Sequence, residues 1–171
     1  GRLAGVAGIA GRLPGTSGAG VAPLLVVVLA ALRDGVLPAR VNSIATIGDT
    51  GVDERADIVL EYPGGALAVL SSSITADAPG DAYILGTKGS IRLHHAFWNA
   101  SRVSIRRGEG DPETHEYPLM HNGYEYEAME VHRCLRAGAS QSDAMPHSTT
   151  LDVLRVMDAM RAEWGLRYPM E

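Results

Sequence analysis

Near residue 120 the spacing of apolar side chains changes from every second position to every third or fourth, and this change constrains the fold more than any other feature. Upstream, Val41, Ser43, Ala45 and Ile47 alternate with more polar neighbours, as in a half-buried strand. Ile58, Leu60 and Tyr62 then share one face, with Asp57, Val59 and Glu61 on the other. Pro63-Gly64-Gly65 supplies turn chemistry, and Ala66 to Ile74 reads as the returning strand of a hairpin. Its Ser71-Ser72-Ser73 run predicts that one face meets water or a cavity. A second hairpin is expected from Ala82 to Leu85 and Ser90 to Leu93 around Gly86-Thr87-Lys88-Gly89. Ser101 to Arg106 alternates again, with Val103 and Ile105 inward and the arginines outward, and Gly108 to Pro112 closes it.

Downstream the pattern is helical. Asn122 can cap a helix, and Glu125 stands at the capping-box distance. Glu125 and Glu127 in the first turn, and Arg133 and Arg136 in the last, suit the helix dipole, and Gly138 ends the element. A second helix is expected near Thr149, with Asp152 at the capping-box distance. Leu151, Leu154, Met157, Met160 and Trp164 would form its apolar stripe, and Gly165 would stop it. Strands in a run followed by helices in a run predict an α+β fold: an open, mainly antiparallel sheet with helices on one face.

The segment before Pro38 is different. Residues 1–37 are rich in Gly and Ala and hold no acid until Asp34, so the chain divides into 1–37 and an α+β domain over 38–171. A short helix is expected over residues 21–33. Val21 to Leu32 is apolar but too short for a bilayer span, which needs ~20 residues. Arg2 and Arg12 ahead of it imitate a secretory signal, but the scattered Gly and Pro do not fit one. Gly5, Gly8 and Gly11, or Gly15, Gly18 and Gly20, lack the spacing and the preceding strand of a dinucleotide fingerprint. A chain that starts with Gly instead of Met is expected to be a processed or truncated product.

Composition removes several function classes. A net charge of −5 with no basic block gives no general attraction to nucleic acid, and no membrane partner is expected. The one cysteine, Cys134, excludes an internal disulfide, sits among apolar helix positions as a small hydrophobe, and fits a reducing, cytoplasmic setting. Adjacent His94 and His95 would point to opposite faces of a strand, and His115, His121, His132 and His147 show no ligand spacing, so no metal site is expected. No nucleophile–base or carboxylate pair is visible. Asn99-Ala100-Ser101 matches a glycosylation sequon without any other sign of secretion.

The stretch GDTGVDERADIVLEYPGGALAVLSSSITADAPGDAYILGTKGSIRL, the Phe97-Trp98 pair, the helix NGYEYEAMEVHRCLRAG and the tail MDAMRAEWGLRYP resemble the carboxy-terminal domain of the glucose–fructose oxidoreductase / inositol dehydrogenase / MocA family. Within it the likeness is to the trans-dihydrodiol and xylose dehydrogenase branch, and it covers Ala39 to Glu171. The resemblance implies a glyceraldehyde-3-phosphate-dehydrogenase-like open sheet that covers a sugar or diol substrate and mediates oligomer contacts. It also implies a separate Rossmann half that binds NAD(P) and carries the lysine of an E-K-P motif. No E-K-P occurs in this chain. The family's D-x-G-x-H/Y element would follow Gly18-Ala19-Gly20, where the acid and His/Tyr positions fall on Leu24 and Val28. Neither moves a proton, so no catalytic and no cofactor-binding residue is carried over, and no cofactor is expected for this chain alone.

By the same resemblance Trp98 would line a substrate pocket near the subunit contact; alternatively Phe97 and Trp98 cover the sheet edge or fill an interface. Asn122 and Tyr124, with Tyr126 and His121, stand at a helix start where free amides can meet a polar ligand, or where Asn122 merely caps. Two readings follow: the substrate and oligomerisation half of an NAD(P)-dependent oxidoreductase, inactive alone, or a non-catalytic open-sheet module that self-associates or binds a partner or small polyol. Both predict a homodimer through the exposed sheet face.

Overall fold

The computed structural model describes residues 36–77 and 79–167. The expected segment before Pro38, including the helix over 21–33 and the positions of Leu24 and Val28, lies almost wholly outside the described residues.

Three strands form a first antiparallel sheet: β1 (Arg40–Ile47), β2 (Asp53–Glu61) and β3 (Leu67–Ser73), in that order. The registers Val41↔Leu60, Ser43↔Ile58 and Ala45↔Ala56 across the first pair, and Ala56↔Ser72, Ile58↔Leu70 and Leu60↔Ala68 across the second, line one face with small and aliphatic side chains. That face is the core: Ile58, Leu60 and Leu70 are essentially sealed from solvent. Pro63 to Gly65 makes the turn as expected, with φ of 88° at Gly64 and 83° at Gly65, angles only glycine adopts freely.

Four further strands make a second antiparallel sheet: β4 (Ala82–Gly86), β5 (Gly89–Leu93), β6 (Arg102–Arg107) and β7 (Glu113–Glu116). The antiparallel, open-sheet α+β architecture is therefore present, with its strands divided into two sheets. The last strand was not legible in the sequence, because ETHE carries no aliphatic residue and pairs only along the edge of β6. Gly89 is held at φ 150°, where a Cβ would stand 1.9 Å from the Arg106 carbonyl oxygen, so the β4–β5 turn can approach β6 only through glycine.

Helix α1 (Tyr124–Arg136) and helix α2 (His147–Trp164) follow. Helix α2 packs on β1. Val153 and Met160 enter the core, Val156, Met157 and Trp164 pack around it, and Trp164 Nε1 donates to Ser43 Oγ at 3.0 Å. Two expectations are corrected here. The helix begins at His147, with Gln141 Oε1 accepting its first amide, so Thr149 is inside the helix and Asp152 pairs with Arg155 instead of capping. Leu151 and Leu154 point to solvent, because the face that meets β1 is rotated toward Val153 and Val156. Helix α1, by contrast, packs broadly on no other described element and buries only Cys134.

The serine run spans both faces of the strand. Ser72 lies on the core face and is buried; Ser71 and Ser73 lie on the other face, where Ser71 is half-buried and Ser73 is buried at the end of the strand. Ser73 Oγ accepts the amides of Thr75 and Ala76 and so shapes the exit from β3. The Ser72 hydroxyl has no partner among the described residues.

Candidate functional site

The second sheet and the start of α1 meet at a single 3-10 turn, Phe97–Asn99. The Phe97 amide donates to the Gly80 carbonyl at 2.9 Å, tying the turn to the segment that enters β4. Phe97 is a core residue, sealed among Ile58, Leu60 and Met160. Trp98 stands edge-on to it, ring centroids 5.2 Å apart at 86°, and keeps part of its indole open. His95 lies 6.1 Å away at 70°. Its Nδ1 is 2.9 Å from the Pro79 carbonyl oxygen, which can only accept, so Nδ1 carries the proton. Gly80 is required in this corner: with φ 66°, a Cβ would reach within 2.6 Å of that same Nδ1.

Asn122 and Tyr124 occupy the other side of the corner. The residue capping α1 is Gly123, at φ 95°, not Asn122. Asn122 Oδ1 still accepts the Tyr124 amide at 3.2 Å, and the Glu125 carboxylate accepts the amides of His121 and Gly123 at 2.8 and 2.9 Å. The capping chemistry foreseen at these positions is thus spent on the helix itself. Glu125 is held below the usual carboxylate range by its own amide and those of His121 and Gly123. The two halves touch where a Cβ on Gly123 would lie 3.0 Å from Asn99 Oδ1. Trp98 and Asn122 are therefore carried on segments in contact, whereas Tyr124 is 70% exposed and points away into solvent.

Two polar groupings on the second sheet were missed by sequence reasoning. Asp81, nearly buried, accepts from Arg92 Nε at 2.9 Å and from the Tyr83 hydroxyl at 3.4 Å, while the Arg92 guanidinium lies 5.6 Å from the Tyr83 ring centre. Burial pushes this carboxyl up, and the Arg92 hydrogen bond and charge, with the His95 amide and Tyr83, outweigh it and hold it below the ordinary range. Second, His94 Nε2 lies 2.7 Å from Ser104 Oγ, and Ser104 Oγ lies 2.7 Å from Thr114 Oγ1. Burial lowers the His94 affinity for a proton, and Arg102 and Arg92 lower it further. The distance alone matches a base and a nucleophile. Ser104 is nevertheless a ladder residue opposite Thr114, which takes its second hydrogen-bonding direction, so the three side chains form a polar row across the sheet. The register Ser104↔Thr114 was the missing signal, and it depended on the unread β7.

Cys134 is buried, and burial together with the Glu130 hydrogen bond pushes its thiol up, the behaviour of an inert packing residue. Among the described residues no group of three or more His, Cys, Asp or Glu side chains could hold a metal ion, and no helix is long and apolar enough to cross a membrane.

No family model matches the chain. Individual proteins do. The chain is 34% identical over 141 residues to the trans-1,2-dihydrobenzene-1,2-diol dehydrogenase of Xenopus laevis, covering 80% of this chain and 43% of that protein. It is 30% identical over 143 residues to the same enzyme of Danio rerio, covering 81% and 43%. It thus spans less than half the length of the relatives it matches. Among solved structures, an aldose-aldose oxidoreductase from Caulobacter crescentus complexed with glycerol aligns with TM-score 0.70 at 18% identity, over 92% of this chain and 51% of that one. A 3-ketoreductase from Actinomadura kijaniata, in complex with NADP and TDP-benzene, aligns with TM-score 0.66 at 18% identity, over 95% and 54%. These structures share the fold. With the diol dehydrogenases matching in sequence and the strand-then-helix architecture in place, the chain belongs to the glucose–fructose oxidoreductase / inositol dehydrogenase / MocA family and corresponds to its carboxy-terminal domain.

Proposed function

We propose that this chain is the substrate-facing and assembly half of an NAD(P)-dependent oxidoreductase acting on the carbinol of a sugar or diol, and that it transfers no hydride by itself. The observation that carries the reading is the match of four fifths of the chain to diol dehydrogenases of more than twice the matched length. The nicotinamide would be held by the other half, and this half would close over the bound polyol.

Within that reading the part-open Trp98 indole is the surface that packs on the C–H face of the substrate, with His95 beside it and Asn122 on the segment that approaches Asn99. Tyr124 is left to packing against another surface, because it faces away from the corner. Phe97 serves by holding Trp98 on the core. The partially exposed outer face of β1–β3, with Ile44, Val59 and Leu67, is the surface proposed for pairing with a second copy. The buried, unreactive Cys134 suits a cytoplasmic setting.

Calorimetric titration separates the parts of this reading. The 171-residue chain is expected to bind neither NAD(H) nor NADP(H), and to bind a diol or aldose weakly, with that binding lost in Trp98→Ala. Saturable nicotinamide binding by the chain alone, or diol binding indifferent to Trp98→Ala, would overturn it.

A further inference from the structure

The core-side face of the second sheet runs from the core out to the tip of the β4–β5 hairpin, and its chemistry changes on the way. Ala82 and Leu93 belong to the core. Two positions further out on the same face, Ile84, Ile91 and Ile105 stand directly opposite one another across β4, β5 and β6. All three are only half-buried, and they line a cavity of about 260 Å3. Two positions further still, Arg107 stands opposite Gly89, and the Gly108 amide donates to the Lys88 carbonyl at 2.9 Å. Lys88 and Arg107 are thus brought to one end of the isoleucine row, about 7 Å along the strands from it. The described residues that line the cavity include three cations, Lys88, Arg106 and Arg107, and no acid. Arg107 reaches Glu113 at 3.3 Å, but that carboxylate is shared with His115 and stands outside the lining, as do Glu109 and Asp111 in the turn after β6.

We propose that this cavity is a binding site for a straight-chain aliphatic carboxylate, its head between Lys88 and Arg107 and its chain along Ile84, Ile91 and Ile105. Covering the isoleucines favours an apolar chain, and paired cationic donors favour an anionic head; an amphipathic anion satisfies both. The volume lies just below the ~300 Å3 at which small-molecule sites begin, so the chain must be short. An extended peptide is a poor occupant, because β5 and β6 are interior strands whose backbone groups are already paired on both sides. A nucleobase would find no ring to stack on, since the described lining is aliphatic, small or polar. The site is independent of the Trp98 corner and stands even where the diol reading fails.

The test is calorimetric titration of the full chain with acetate, hexanoate, octanoate and neutral octanol, each below the concentration at which it self-associates. Octanoate is expected to saturate, and to bind tighter than hexanoate by up to roughly fourfold for each added methylene. Acetate should not bind measurably, and octanol should bind at least roughly tenfold more weakly than octanoate. The double variant Lys88→Gln/Arg107→Gln alters two exposed side chains, so it should weaken octanoate roughly tenfold and leave the melting temperature of the free chain essentially unchanged. Octanoate should also slow amide exchange over residues 84–91 and 103–107 and leave β2 unaltered. Affinity independent of chain length would reduce the site to plain ion pairing. Equal binding of octanol would leave an apolar patch without head-group recognition, and octanoate binding indifferent to the double variant would put the ligand elsewhere. Any of these results, or the absence of saturable binding at millimolar octanoate, overturns the proposal.

Discussion

Asp81 shows how a single residue fixes the approach to the second sheet. Its carboxylate gathers Arg92, Tyr83 and the His95 amide, so it links the entry to β4, the middle of β5 and the turn that carries Trp98. Replacing it with Asn removes the charge that holds the exposed Arg92 guanidinium, and a loss of no more than about 1 kcal/mol is expected in urea denaturation. The pH dependence follows from the lowered folded-state value. The stabilisation is complete above the unfolded-chain value of about 3.9 and disappears as pH falls through the lower folded value. The gap between the wild-type chain and Asp81→Asn should therefore be constant at neutral pH and close in strong acid. None of this was legible beforehand, because Asp81 and Arg92 are eleven positions apart and meet only through the β4–β5 register.

At the scale of elements, legibility followed periodicity. The hairpins over 56–74 and 82–93 were readable because alternation and Pro-Gly-Gly or Gly-Thr-Lys-Gly turns reinforce each other. The division into two sheets was not readable, since strand pairing between hairpins is decided by packing. In α2 the helix was legible but its buried side was not: both Leu151–Leu154 and Val153–Val156 fit a helical stripe, and only contact with β1 chooses. The consequence is measurable. Met160→Ala should cost about 2–4 kcal/mol, as expected for a sealed side chain. Leu154→Ala, 45% exposed, should cost less than about 1 kcal/mol in the same thermal or chemical denaturation. Of the candidate residues, Phe97 and Trp98 were named from sequence likeness and Asn122 from its place at a helix start, and the closeness of their segments at Asn99 and Gly123 required the fold.

For the whole molecule, the outer face of β1–β3 is the surface proposed for assembly. Ile44 is 75% exposed in the middle of β1, opposite Asp57 of β2. A lone exposed isoleucine needs no explanation, but Val59 and Leu67 on the same face extend it into a patch. Sedimentation at micromolar concentration is expected to show a dimer, and Ile44→Lys is expected to shift it toward monomer without lowering the melting temperature. A monomeric wild-type chain would remove the sheet face from consideration.

The two sheets are unequally anchored. The first forms the floor of the core, whereas the second enters it through Ala82, Leu93 and the Phe97-Trp98 turn. Those few side chains act as a hinge pin. Strands β4 to β7 should consequently open as one cooperative unit at a lower free energy than global unfolding, releasing their amides together while β2 stays closed. A substrate corner built on that pin would inherit its breathing: Trp98 would visit solvent each time the second sheet loosens, so the rate of entry to the corner would be set by a local unfolding equilibrium.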